Sequence, residues 1–466
     1  MYDDTIAAIA TPPGDGGIAI VRLSGARAAC ITSAIFRRGE RGHWVDVARL
    51  DSHRLYYGHV IDAITAGTID EVMLVRMAAP HSYTREEVVE IQCHGGPIPA
   101  RRILELTIAG GARLANAGEF TLRAFLNGRI DLSQAEAVMA VVSSRTSESL
   151  ELAIQELRGS LTNRLGPARS ELIQTLAYLD ASADFPEDEI QGVDVATSLQ
   201  RAACELQDVL AASNLGQLYH EGIQIAIVGR PNVGKSSLMN ALLRSERAIV
   251  TPIAGTTRDV ITESINLHGI PATLLDTAGI AETKDVIEQM GIDRSRRAIQ
   301  SAALALFVID GSQPSAPDDI AVARMLAERF DRDGAGRIVL VINKRDLPGQ
   351  AEHDTILRSL AGCPVAKIST VTGQGLEALE ETLFGLASSL AGEASEPATT
   401  SLRQREAVRA ALESVEAGIA ALLDDMPNDL IAVDVRDALM SIGEITGEQV
   451  SERVLDEIFS RFCIGK

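Results

Sequence analysis

Cysteine is scarce. The 466 residues hold five, Cys30, Cys93, Cys204, Cys363 and Cys463, an odd and scattered set without CxxC or Cys/His ligand spacing, which argues against a disulfide framework and a zinc site. The N-terminus, Met-Tyr-Asp-Asp, lacks a basic segment, and no apolar run approaches the ~20 residues that span a bilayer. A reducing cytoplasm is the expected setting, with no membrane partner. Cations are in deficit: 43 Lys and Arg stand against 64 Asp and Glu, a net charge of -21. The surface as a whole repels polyanions, so any nucleic-acid contact has to come from a local basic patch. Low-complexity segments and internal repeats are absent. With 46% hydrophobic and 23% charged residues, the chain is expected to fold almost throughout, and its length exceeds what one core fills, so two or three domains are expected.

Texture divides the chain. Residues 1–120 read as α+β, with short β-branched runs (Ile18 to Leu23, Val72 to Met77, Val88 to Gln92) between turn clusters such as Pro12 to Gly17. Within 121–216 a helical pattern sets in: Ser133 and Glu136 have capping-box spacing, and Val138, Val142, Leu150, Ile154, Leu157, Leu161, Leu172, Leu176 and Leu179 recur at helical intervals. Over 217–385 the apolar runs Ile225 to Val228, Ala272 to Leu275, Leu304 to Ile309 and Ile338 to Ile342 alternate with helical stretches, which predicts a doubly wound parallel sheet. In 386–466 a small-residue linker leads to a Ser401–Gln404 cap and an apolar stripe of Val408, Leu412, Val415, Ile419 and Leu422. That stripe has to bury against something, and the earlier helical block is the simplest partner. The expected architecture is multidomain α/β plus α: a doubly wound domain inserted into a helical domain, preceded by an α+β domain.

Gly229-Arg-Pro-Asn-Val-Gly-Lys-Ser236 fits the P-loop pattern, following a strand and opening a helix at Ser237. Backbone amides around Asn232, Val233 and Gly234 can close on phosphate oxygens, Lys235 can reach the β and γ phosphates, and Ser236 can hold Mg²⁺. Asp276-Thr277-Ala278-Gly279 ends an apolar run, where a carboxylate can hold Mg²⁺ through water and a Gly amide can sense the γ-phosphate. Asn343-Lys344-Arg345-Asp346 follows another strand. Its Asp346 can accept two parallel bonds from a guanine edge that adenine lacks, which selects GTP, and Ser369 is assigned to the same nucleotide site. Thr251 to Thr257 has the position of a switch loop that supplies a hydroxyl to Mg²⁺. Each short element alone is a strand end or a turn; four in this order and context predict a GTPase. Ile280 stands where small signalling GTPases carry a water-positioning Gln. Charge relief could then come from a cation on the oxygens of Asn232 and the Thr251 loop, with water positioned from within Glu282 to Glu288.

Beyond these motifs, Asp4 to Gly14, Ile20 to Gly25, Gly118 to Asn127, Asp131 to Ala137 and the terminal Phe462-Cys463-Ile464-Gly465-Lys466 resemble the signatures of the MnmE (TrmE) family of tRNA-modifying GTPases over nearly the whole chain. The resemblance implies a potassium-stimulated GTPase whose nucleotide domains pair in a homodimer. It implies an N-terminal domain that binds a tetrahydrofolate one-carbon donor (5-formyl- or methylene-tetrahydrofolate) and an FAD-dependent partner, MnmG, with which aminomethyl-type groups are added at C5 of a tRNA wobble uridine. Carried over by motif, K⁺ falls on Asn232, Thr251, Ile253 and Thr256, Mg²⁺ on Ser236 and Thr257, and water positioning on Glu288. The folate site falls on Arg22, Glu90, Arg129 and Lys466, and Cys463 becomes a candidate thiol. Without the resemblance, Arg22, Glu90 and Arg129 read as solvated strand or turn residues. Two positions depart from the family pattern: Arg85, in Thr84-Arg85-Glu86-Glu87, and Cys93, each where a glycine is usual. His94 reads as part of a glycine turn rather than as a base. The alternative function is a non-catalytic switch that times ribosome or complex assembly.

Overall fold

The computed structural model describes residues 4–40, 42–62, 64–184, 193–244, 262–276, 299–330, 337–348, 353–390 and 401–466. They divide into two compact units, Met1–Met139 with Gly443–Lys466, and Ala140–Ile442.

In the first unit the chain runs β1 (Ile6–Ile9), β2 (Ile18–Ser24), α1 (Ala28–Ser33), β3 (Phe36–Arg38), β4 (His43–Trp44), β5 (Leu55–Ile61), β6 (Thr68–Met77), β7 (Val88–His94), α2 (Pro97–Ala109), β8 (Arg113–Leu114) and α3 (Glu119–Leu126). The strands form one sheet in the order β4-β3-β5-β6-β7-β2-β1-β8. Alternation decides its faces. Ala19, Val21, Leu23, Val89, Ile91 and Cys93 are buried in a core with Ala28, Ile31, Ala100 and Ile103 of α1 and α2, while Ile20, Arg22, Glu90 and Gln92, out of phase by one residue, are only partly buried. Pro97 starts α2 at a position where its missing N–H costs nothing.

The helical segments are α4 (Leu132–Ser143), α5 (Ser147–Leu157), α6 (Ser160–Asp184) and α7 (Val195–Glu221). The start of α4 corrects the sequence reading: Asp131, not Ser133, is the cap. Asp131 Oδ1 accepts from Gln134 N at 2.8 Å and Asp131 N donates to Gln134 Oε1 at 2.9 Å, a reciprocal capping box two residues earlier. Asp194 caps α7 through Thr197 N.

The nucleotide-type sheet follows: β9 (Ile223–Val228), α8 (Lys235–Arg244), β10 (Thr262–Leu267), β11 (Ile270–Asp276), β12 (Leu304–Asp310), α9 (Pro317–Phe330), β13 (Ile338–Asn343), α10 (Asp354–Ser359), β14 (Val365–Lys367) and α11 (Leu376–Ser389). Its order is β10-β11-β9-β12-β13-β14. All neighbours are parallel except the edge pair β10–β11, an antiparallel hairpin turned by His268-Gly269, both at positive φ. Every residue of β12 is buried, as expected for a strand covered on both faces.

The chain then enters α12 (Leu402–Leu423), capped by Ser401 Oγ on Gln404 N, and α13 (Asn428–Thr446). Val408, Leu412 and Val415 are buried and α12 packs on α7, the helical partner expected for the stripe. Last comes α14 (Glu452–Ser460), whose Phe459 joins Phe462, Leu132 and Ala135 in a small core of the first unit.

Candidate functional sites

Four parallel strands deliver the motif residues to one edge of the second unit's sheet, their carboxyl ends, where ligands of open α/β sheets bind. Strand β9 leads into the loop from Gly229, β12 ends at Asp310, β13 at Asn343 and β11 at Asp276. Within the loop Gly234 has φ +102, and a Cβ there would lie 2.2 Å from Asn343 Nδ2, so only glycine fits. Asn232 also has positive φ. Lys235, 7% exposed, donates from Nζ to the carbonyls of Gly229 and Arg230, both at 2.9 Å, and so lies across its own loop. A cation held over amide-lined backbone at a helix N-terminus suits phosphate oxygens.

Asn343 is fully buried and braces the site: its Nδ2 donates to Val233 O at 3.0 Å and its Oδ1 accepts from Thr370 N at 3.2 Å. It therefore joins the P-loop to the segment after β14. Lys344, at φ +62, donates to Asp310 Oδ2 at 2.7 Å, and Asp310 Oδ1 accepts from Ser312 N and Oγ. Burial raises the Asp310 pKa, but the Lys344 ammonium and Ser312 outweigh it, leaving the carboxyl below its usual range. Ser369 Oγ donates to Asp346 Oδ1 at 2.6 Å and accepts from the amides of Val371 and Thr372, which fixes the carboxylate for a planar, two-donor ligand edge. Asp310 was not anticipated from sequence, although an acid ending an all-apolar strand before Gly-Ser was a readable signal. Ser236 and Ser237 begin α8. Thr251, Ile253, Thr256, Thr257, Thr277, Ala278, Gly279 and Glu288 lie outside the described residues.

In the first unit, side chains distant in sequence converge. Strand register pairs Arg22 of β2 with Glu90 of β7, and Arg22 Nε donates to Glu90 Oε1 at 2.7 Å. Arg22 Nη1 also donates to Gly465 O at 3.2 Å, which brings the last residues of the chain to this pair. The tail is held by a bridge between Ala117 and Ile464. Gly465, at φ +96, lies against β1, where a Cβ would approach Ile9 O to 2.5 Å. Lys466 N bonds back to Cys463 O, and Cys463 itself is exposed. Arg129 stacks 4.7 Å from the Tyr83 ring centroid and donates to Tyr83 O, while Arg22 Cζ lies 5.9 Å from the same ring. Tyr83, missed by sequence reasoning, is thus the link between Arg22 and Arg129.

A buried ion network fixes the segments around this cluster. Arg123 is fully buried and contacts Asp4 Oδ1 at 2.7 Å, Glu119 Oε1 at 3.0 Å and Glu86 Oε2 at 3.2 Å. Glu119 also binds Arg113 at 2.6 Å. Burial pushes the Glu119 carboxyl up, but Arg113, the Asn116 amide and Arg123 together hold it below the usual range. Cys93 is buried and its thiol is pushed up to about 11, chiefly by burial, so it is an inert core residue. His94 is better defined than a glycine turn requires: its Nδ1 meets Asp70 Oδ1 at 2.7 Å and its amide donates to Asp70 Oδ2 at 2.8 Å. The bond to Asp70 raises its pKa.

The β9–P-loop–α8 unit, with a guanine-type acceptor held at Asp346 on a mostly parallel sheet, defines a P-loop GTPase carrying helical and α+β additions. The sequence matches the MnmE helical domain over residues 132–463 and the GTP-binding protein TrmE N-terminus over residues 5–129. Full-length relatives named tRNA modification GTPase MnmE include those of Chloroflexus aurantiacus, 47% identical over 466 residues, and Alkaliphilus metalliredigens, 42% identical over 470 residues, each covering 100% of both chains. Among solved structures, Era of Aquifex aeolicus bound to GDP and AlF4⁻ is 28% identical, covers 41% of this chain and 66% of that one, and has a TM-score of 0.28. This chain belongs to the MnmE family of tRNA modification GTPases. It is a GTP hydrolase that acts in tRNA modification, and the alternative of a switch for ribosome or complex assembly gives way. No helix among the described residues is long and apolar enough to cross a membrane.

Proposed function

We propose that GTP hydrolysis by this chain drives a cytoplasmic, folate-dependent modification at C5 of a tRNA wobble uridine, carried out as a homodimer together with the FAD-dependent protein MnmG. The observation that carries the folate part is the convergence of Arg22, Glu90 and the Gly465-Lys466 tail in one unit. A carboxylate suits the donor edge of a pterin, and cations suit a glutamate tail. On this reading Lys466 and Arg129 serve the tail of a 5-formyl- or methylene-tetrahydrofolate, and Cys463 offers a thiol beside it.

At the nucleotide site, Lys235 exchanges its two loop carbonyls for β and γ phosphate oxygens. Asp346, fixed by Ser369, reads guanine. Ser236 and Thr257 would hold Mg²⁺, which neutralises developing charge on the phosphates. With Ile280 where a Gln would orient water, K⁺ on Asn232, Thr251, Ile253 and Thr256 would supply the remaining positive charge, and Glu288 would position the attacking water. Asn232, at φ +66, stands at a tight turn of the loop.

The test is GTP turnover by the full-length protein in potassium and in sodium at equal ionic strength, for wild type and Asn232→Ala. Activity only in potassium, lost in the variant, is expected. Equal rates in the two salts would refute the cation mechanism and leave the folate reading to stand on its own binding test.

A further inference from the structure

A cleft of about 530 Å³ opens beside Tyr83, its wall including His53, His81, Tyr83, Arg85 and Arg129. No acidic side chain is among its described lining residues. On a chain of net charge -21 this is a local reversal of sign, and an anion enters such a surface only where cations are concentrated.

Both guanidinium groups are set in position. Arg129 Nη1 donates to Tyr83 O at 3.0 Å, and Arg85 Nη1 donates to Asn127 O at 2.9 Å. A guanidinium has five N–H donors, so one carbonyl bond orients each group and leaves donors for a ligand carboxylate. Arg85 is held at φ +60, a backbone conformation uncommon for a residue with a side chain. The ring of Tyr83 also approaches Arg22, the partner of Glu90, so a single aromatic side chain lies between the cleft and that pair.

We propose that this cleft receives the oligo-γ-glutamate extension of the tetrahydrofolate, and that Arg85, beyond the Arg129 that serves the first glutamate, makes the protein prefer polyglutamylated over monoglutamylated folate. The proposal rests on the folate reading above. Each added γ-glutamyl residue brings one more carboxylate and a flexible linker, which an open, cation-walled cleft can accept without a fixed geometry. An RNA phosphate chain would meet the same cations, but it has no use for a carboxylate as near as Glu90, which suits a ligand with a pterin-like donor edge at one end and anions at the other.

The test is equilibrium binding of 5-formyl-tetrahydrofolate in its mono- and triglutamate forms to full-length protein at low salt, for wild type and Arg85→Gly. Glycine tolerates the positive φ, so this variant is expected to fold. One exposed guanidinium–carboxylate contact, that of Arg85, corresponds to about a threefold preference for the triglutamate. That ratio is expected in wild type, falling toward one in the variant and in high salt. Equal affinity for the two forms in wild type overturns the proposal while leaving the folate site intact. Binding of neither form overturns the folate reading together with it. A loss of tRNA binding in Arg85→Gly, with no dependence on glutamate number in wild type, reassigns the cleft to RNA and also overturns it.

Discussion

The two candidate sites are built from different materials. The nucleotide loop is made mainly of backbone: Gly234 allows an approach that no side chain permits, and Asn343 braces Val233 O and the Thr370 amide rather than facing outward. The cluster in the first unit is made of side chains, with Arg22 paired to Glu90 across strands and Arg123 buried among three carboxylates. A backbone site depends on one short segment and fails locally. A side-chain site depends on the whole unit holding its distant segments in register.

This difference can be broken experimentally, because the single tryptophan, Trp44, lies in the first unit and nucleotide binding reports on the second. The largest effect is expected for Arg123→Leu. It leaves Glu119, Glu86 and Asp4 without their shared cation, and breaking a buried pair from one side costs about 3–5 kcal/mol. Trp44 fluorescence should report unfolding at lower temperature or denaturant, while fluorescent GDP still binds; an unshifted Trp44 transition would refute the role given to the network. Next is Gly234→Ala. Strain and the clash with Asn343 together cost about 3 kcal/mol, or roughly 100-fold in GDP affinity, and here the Trp44 transition should stay where it was. Ser369→Ala removes one oriented bond to Asp346, a loss of about 1 kcal/mol, or roughly fivefold in GDP affinity. An unchanged affinity would mean that Asp346 needs no orientation.

The ion network of the first unit also responds to acid. The Glu119 pKa is lowered on folding, so its contribution is fully present above the unfolded value, about 4.3, and is lost as pH falls through the lower folded value. The Trp44 signal should therefore reveal destabilisation below about pH 4.3 that Glu119→Gln makes shallower. The smallest effect concerns His94. Its pKa is raised by Asp70, so the bond is at full strength below the ordinary imidazole value and weakens as pH rises through the folded one. In Asp70→Asn the imidazole NMR titration should move down; no movement would mean that the contact does not persist in solution.

The same contrast explains what could be read in advance. The P-loop, Asp276 and Asn343 to Asp346 were legible because each is a contiguous string whose spacing is fixed by a strand, a tight turn and a helix start. Four of the parallel strands were legible too, as apolar runs, whereas β14, three residues ending in Lys367, carries no such run and was not read. Arg22 and Glu90 were not, since nothing in either segment announces that β2 and β7 are neighbours in a register opposing these two residues. They came only through the family resemblance, and Tyr83 did not come even then, because an aromatic beside Thr and Arg has no local signature. The α4 cap was misread by two residues because Asp131-Leu-Ser-Gln134 and Ser133-Gln-Ala-Glu136 both satisfy the same spacing rule. The hydrogen bonds of Asp131 decide between them.

The return of the tail to β1 has a consequence for synthesis. Residues 443–466 belong to the first unit, with Ile464 bridged to Ala117 and Gly465 bonded to Arg22. A ribosome therefore releases the segments of this unit at opposite ends of translation. At ~5–20 residues per second, the ~300 residues between them take roughly 15–60 s to emerge. The earliest strands must wait that long for their last neighbours, while the second unit has its whole sequence available in one stretch.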